Sequence, residues 1–279
     1  MIRINKTANI PQVLSSEGVA ETATLINNYN ANPLRYTSRA GVPARNVVKM
    51  DFDNTIYGHE TVKEQLVTDQ HDKCCFCEGK FSDNSFGDVE HYRPKKAYKK
   101  RTSNTLTYPG YYWLAYDWNN LMYSCEKCNR KYKRSDFPLD DETTRKPNHS
   151  HLNFLANEDR LLINPMIEDP SLFITFNEEI PVPVNGSLKG ATSIKAYGLE
   201  RLNESRLENL KAIKTALALV NIDETNAAEI ARISVELKIN PADLVESVLF
   251  AKELYNSAAK ETAKFTYSVR CKFTQLPII

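Results

Sequence analysis

Two Cys-x-x-Cys pairs, Cys74 with Cys77 and Cys125 with Cys128, constrain this chain more than any other feature, because the second begins 48 positions after the first ends. A two-residue gap lets a tight knuckle aim both sulfurs at one point, so four thiolates can converge tetrahedrally on one structural zinc ion. The segment between the pairs is longer than in a common zinc finger and must hold a folded insert, whose two ends the metal ties together. A loop-rich stretch of this kind buries little apolar surface, and a metal staple is the expected source of its stability. Cys75 adjoins Cys74 and reads as a packed thiol, with a register using Cys75 left open, while the isolated Cys271 reads as core.

With 279 residues and 42% hydrophobic content, the chain can bury a core as one larger domain or two small ones. The opening MIRINKTANIPQVL lacks the apolar stretch of a signal peptide, and no apolar run approaches the roughly 18 residues of a membrane span, so a soluble, cytoplasmic protein without membrane contact is expected. Paired cysteines outside a secreted context fit that reducing compartment. A formal charge of +1 gives no global polyanion-binding signature, so affinity for nucleic acid must come from local clusters.

Apolar spacing divides the chain into three parts: a helical segment at 1–70, the cysteine-bearing core at 71–170, and a connector with a helical region at 171–279. In the first part, Glu17 to Asn30 and His59 to His71 read as helices. The proline-rich stretch from His149 to Gly190 reads as loops around two short strands near LLINP and LFITF. Beyond Ala191, Leu199, Leu202, Leu210, Ile213, Leu217 and Val220 recur at helical steps. Asp223 is expected to cap a helix over Ala227 to Leu237, and Asn240-Pro241 to open another.

Inside the insert, Asp88-Val89-Glu90-His91-Tyr92-Arg93-Pro94-Lys95 is a strand-like run ending in an adjacent carboxylate and imidazole. Asp117-Trp118-Asn119-Asn120-Leu121 follows, then Cys125-Glu126-Lys127-Cys128-Asn129-Arg130-Lys131. This order resembles the HNH endonuclease motif, in which a strand, a loop and a helix clamp one divalent cation. The resemblance implies an α+β chain whose zinc-stapled ββα-metal (HNH) core lies between mainly helical N- and C-terminal parts. It implies His91 as general base, Asn120 (Asn119 in the other register) orienting the imidazole, and Glu90 with Asn129 as ligands of the catalytic cation. Asn replaces the His of the third motif position, and a neutral amide oxygen favours Mg2+ or Mn2+ over tight catalytic zinc. Arg93 and Lys95 follow the base, and Arg130 and Lys133 flank the helix ligand, so these four are expected at substrate phosphates.

The runs CCFCEGKF, DVEHYRPKKAY, YYWLAYDWNNLMYSCEKCNRKYK, FPL and LLINP are similar to one HNH branch, the PtuB nucleases of Septu and retron antiphage defence. That likeness implies a nucleic-acid substrate and a PtuA-like ABC/SMC-type ATPase partner. In retron versions it also implies a reverse transcriptase with its RNA–DNA hybrid. No GxxxxGK[ST] run occurs, so nucleotide sensing would fall to another chain. The rival is a non-catalytic zinc module that binds nucleic acid or protein, which has no use for Glu90-His91. Asp51-Phe52-Asp53-Asn54-Thr55 matches a phosphatase opening but lacks the following α/β rhythm, and reads as a turn.

Overall fold

Apolar side chains three and four positions apart give the N-terminal part its helices, and local caps fix where they start. The computed structural model describes residues 1–81 and 87–278. Helices α1 (Gln12–Ser15), α2 (Glu17–Ala31), α3 (Pro33–Tyr36), α4 (Asn54–Tyr57) and α5 (Glu60–Asp69) precede the first knuckle. Leu25 and Tyr29 of α2 and Val62 and Leu66 of α5 are buried. The Asp53 carboxylate accepts from the Thr55 amide and hydroxyl and caps α4, so the expected turn stands at the start of a helix.

Strands β1 (Gly87–His91) and β2 (Leu121–Cys125) pair antiparallel, from Gly87 opposite Cys125 to His91 opposite Leu121. The chain then winds into a π-helix, Lys127–Lys133, giving a strand–strand–helix order. Strands β3 (Ile174–Asn177) and β4 (Ile180–Pro183) form a second hairpin. Of the two runs expected to hold strands, LFITF supplies β3, while LLINP is irregular but buried at Leu161, Leu162 and Ile163 and the second strand comes from Ile180–Pro183.

The C-terminal part comprises α6 (Leu188–Ala196), α7 (Asn203–Leu217), α8 (Ala227–Leu237), α9 (Pro241–Ser257) and α10 (Thr266–Lys272). Asn240 accepts from the Ala242 amide ahead of Pro241, as its sequence signature requires. The cap of α8 is Asn226 rather than Asp223, whose carboxylate instead closes a turn on Thr225. Both residues satisfy the local rule, and the one adjacent to the first helical residue prevails. Val220 falls beyond the end of α7.

One continuous core joins Leu14, Leu25 and Leu66 of the N-terminal helices to Phe76, Met122, Phe137, Ile163 and Tyr197. Smaller clusters hold α7 to α9 and α10 through Leu210, Ile213 and Val269, and α8 to α9 through Ile230, Leu244 and Val248. Among the described residues, no helix is long and apolar enough to cross a membrane.

Helix α6 lies so close to the β3–β4 hairpin that a Cβ at Gly190 would stand 2.0 Å from the Phe173 carbonyl oxygen. Backbone cannot yield as a flexible side-chain end can, so Gly190→Ala should cost about 1–3 kcal/mol. Urea unfolding checks this, and an unchanged midpoint would refute the close approach.

Candidate functional site

Cys74, Cys77, Cys125 and Cys128 form a cluster whose sulfurs all lie within 4.8 Å of one another, with Cys77 and Cys125 Sγ 3.9 Å apart. Four sulfurs at about 2.3 Å from one ion would be separated by about 3.8 Å, so the cluster fits a tetrahedral metal such as zinc with little adjustment. Three of the cysteines are buried and Cys125 is half-buried. The first knuckle follows α5, and the second begins at the last residue of β2. Cys75 stands outside the four; its amide donates to the Tyr123 carbonyl, and burial pushes its thiol well above the ordinary range.

The end of β1 remote from the cysteine cluster carries Glu90 and His91, both about 5% exposed. Strand alternation sends Asp88 and Glu90 to one face, and the π-helix lies along it. At one end of that contact Asn129 Nδ2 donates to Asp88 Oδ2 at 3.4 Å, while the Arg130 guanidinium makes a two-point contact with the same carboxylate at 2.7 and 2.8 Å. At the other end Lys133 Nζ donates to Glu90 Oε1 at 2.5 Å and to the His91 carbonyl at 3.0 Å. Burial pushes the Glu90 carboxyl up, opposed by the Lys133 ammonium.

His91 occupies a separate, aromatic side of the strand. Its ring meets that of Tyr57 edge-on at 4.8 Å, and Nε2 lies 2.9 Å from the Ala115 carbonyl oxygen. A carbonyl can only accept, so Nε2 carries the hydrogen and Nδ1 keeps the lone pair. That lone pair faces Lys95 Nζ at 3.3 Å, which also lies 4.2 Å from the Tyr57 ring centroid. Burial first, and the Lys95 charge second, hold the imidazole well below its usual pKa, so it is neutral near pH 7. Burial likewise lowers Lys95 to about 8, against the attraction of Glu90, so this one ammonium faces both members of the Glu-His pair.

Asn120 is buried and Asn119 exposed. The Asn120 side chain does not meet the imidazole. Its Oδ1 accepts from the Arg93 amide at 2.8 Å, and Nδ2 donates to the carbonyls of Arg93 and Leu114 at 3.0 and 3.1 Å. It therefore fixes the loop whose next carbonyl, that of Ala115, holds His91. Of the four cations expected at phosphates, Arg93 is buried against Glu158 at 2.9 Å and Lys133 against Glu90, so neither presents its charge to solvent. Lys95 is mostly covered beside His91, and Arg130 is exposed. Sequence reasoning passed over Asp88 and also Arg201, whose guanidinium reaches Cys128 Sγ at 3.1 Å; the i, i+2 spacing of Asp88 and Glu90 on one strand was the available signal for the first.

No family model matches the chain, and no solved structure matches it. Over 166 residues it is 40% identical to Septu protein PtuB of Bacillus mycoides (strain KBAB4), covering 58% of this chain and 55% of that protein. The chain is similar to Septu protein PtuB. A second protein of that name, from Bacillus thuringiensis, is 27% identical over 177 residues, covering 61% of this chain and 55% of the relative. The chain thus spans about half the length of the curated relatives it matches.

Elemental analysis should find one zinc per chain, lost in Cys128→Ser and retained in Cys271→Ser, with chelation lowering Tm only where zinc was bound. Asn120→Ala strands the buried Arg93 amide and carbonyl and leaves the Leu114 carbonyl only its bond from the Asp117 amide, so it should cost about 1–3 kcal/mol in urea unfolding, whereas Asn119→Ala should stay within about 0.5 kcal/mol.

Proposed function

We propose that the chain is a metal-dependent nuclease of the HNH type, hydrolysing phosphodiester bonds of nucleic acid as the effector of a Septu antiphage defence system. The observation that carries this reading is the His91 imidazole, neutral and fixed at Nε2 by the Ala115 carbonyl, so that Nδ1 holds the lone pair, met by Lys95 Nζ at 3.3 Å. It stands beside a buried carboxylate at one end of a strand–strand–helix unit whose other end carries the four-cysteine cluster. The likeness to the two Septu PtuB proteins supports the defence role.

In this reading His91 Nδ1 takes the proton from an attacking water, a step general bases speed by about 10²–10⁴-fold. Asn120 keeps the base in place through the loop that carries Ala115. Asn129 meets Asp88 and Glu90 meets Lys133, at opposite ends of the strand–helix contact; once both contacts open, Glu90 and Asn129 would hold Mg2+ or Mn2+, which when bound supplies positive charge to the scissile phosphate and its leaving oxygen. Lys133 occupies Glu90 and Lys95 covers Nδ1, so the arrangement described is a resting one. Substrate phosphate draws Lys95 off the base, and release of Glu90 by Lys133 opens the carboxylate. A PtuA-like ATPase supplies that release, and a reverse transcriptase with its RNA–DNA hybrid joins it if the system is of the retron type. Holding the nuclease at rest protects the host.

One observation favours a second reading: the Glu90–Lys133 pair is closed to solvent, as in a purely structural ion pair. The chain would then be a non-catalytic zinc module binding nucleic acid or protein.

The deciding experiment offers plasmid, single-stranded DNA, total RNA and tRNA to the protein with its ATPase partner, in Mg2+ or Mn2+. Wild type should cleave at least one of them, and His91→Ala should lose about 100-fold or more while keeping its zinc. Imidazole accepts a proton only when neutral, and its pKa lies well below 6.5, so the acid limb of the pH–rate profile should fall below that value. Absence of cleavage from every substrate would favour the binding module.

A further inference from the structure

Four thiolates around a divalent ion leave a net charge of about −2, and burying that charge without a partner is costly. The partner comes from the turn between α6 and α7. Arg201 Nη2 donates to Cys128 Sγ at 3.1 Å and to Cys125 Sγ at 3.5 Å. Its Nη1 donates to the carbonyls of Tyr197 and Gly198 at 3.0 and 2.7 Å, so the planar guanidinium is held from both sides.

The turn is built around this contact. Gly198 has φ +60°, and a Cβ there would lie 2.3 Å from the Tyr132 ring of the π-helix, which the Arg201 guanidinium also faces at 5.1 Å. Tyr197 stacks on Phe76, inside the first knuckle, with ring centroids 4.0 Å apart. Residues 197–201 therefore touch both knuckles, and α7 begins two residues later.

We propose that Arg201 is the positioning residue that balances the charge of the metal-loaded cysteine centre, and that through it metal binding and docking of residues 197–217 are one linked equilibrium. Linkage is reciprocal: whatever strengthens the metal at the sulfurs must hold the segment more firmly, and loosening the segment must weaken the metal.

The test uses the full chain as wild type, Arg201→Met, Arg201→Lys and Gly198→Ala. Zinc affinity is read by competition with a chromophoric chelator, and backbone order by hydrogen exchange. Arg201→Met should weaken zinc by about 10–100-fold, the range typical of lost outer partners, with Arg201→Lys between it and wild type. Gly198→Ala, which displaces the turn but keeps the guanidinium, should also weaken zinc. Chelation should raise exchange across 197–217 in wild type and have less effect in Arg201→Met. If Arg201→Met does not fold, the other two variants decide by the same readings. Wild-type zinc affinity in the variants, or exchange at 197–217 that ignores chelation, overturns the proposal.

Discussion

The convergence of four sulfurs is the constraint from which the rest of the site follows. Cys125 is both a member of that cluster and the last residue of β2, where it pairs with Gly87. Fixing Cys125 therefore fixes the register of β1, and a slip of one residue would turn Glu90 and His91 to opposite faces. Cys128 fixes the start of the π-helix by the same logic, and Lys133 fixes its end on Glu90. A helix held at both ends cannot choose its winding freely, and the wider π form, rare in general and frequent at functional sites, spans the interval here. The cysteine cluster thus acts at a distance on residues it never touches.

The charges at the far end of β1 are arranged differently. Glu90 and His91 are withdrawn from water and each meets a lysine, Lys133 and Lys95. Breaking one side of a buried ion pair typically costs about 3–5 kcal/mol, whereas replacing both with apolar groups is often neutral, so such a pair is a weak device for stability alone. It is a stronger device for specificity: it selects one placement of the helix, and it makes any other cation compete with an ammonium already in position.

The sequence was most legible where chemistry depends on neighbours along the chain. The cysteine pairs announce themselves by spacing, Asn240-Pro241 by its cap, and α2 and α5 by apolar recurrence. It was least legible where the partner arrives from elsewhere. Arg93 and Lys133 look like members of a solvated basic run until Glu158, 65 positions away, and Glu90, 43 positions away, are brought against them. Asn119 and Asn120 are equivalent in a motif and differ only in burial, which is decided by the Arg93 loop folding over one of them. The π winding has no local signature, because its cause lies in the two tertiary anchors at its ends.

The C-terminal region shows how far the cysteine cluster reaches. Backbone contacts tie it to the first knuckle: the Phe265 amide donates to the Glu78 carbonyl at 3.1 Å, and the Tyr267 amide to the Glu78 carboxylate at 3.2 Å. Lys73, just before that knuckle, donates to the Ala263 carbonyl and the Thr266 hydroxyl, each at 3.0 Å. These bonds lie next to the cysteines but leave the sulfurs alone, whereas the Arg201 turn meets sulfur directly. Geometry and charge are therefore divided between two segments of one region: α10 and the loop before it set where the first knuckle sits, and the α6–α7 turn offsets what the four thiolates carry. A metal held by the four cysteines would need both, because a knuckle correctly placed but electrostatically unbalanced would favour protonated thiols over bound ion.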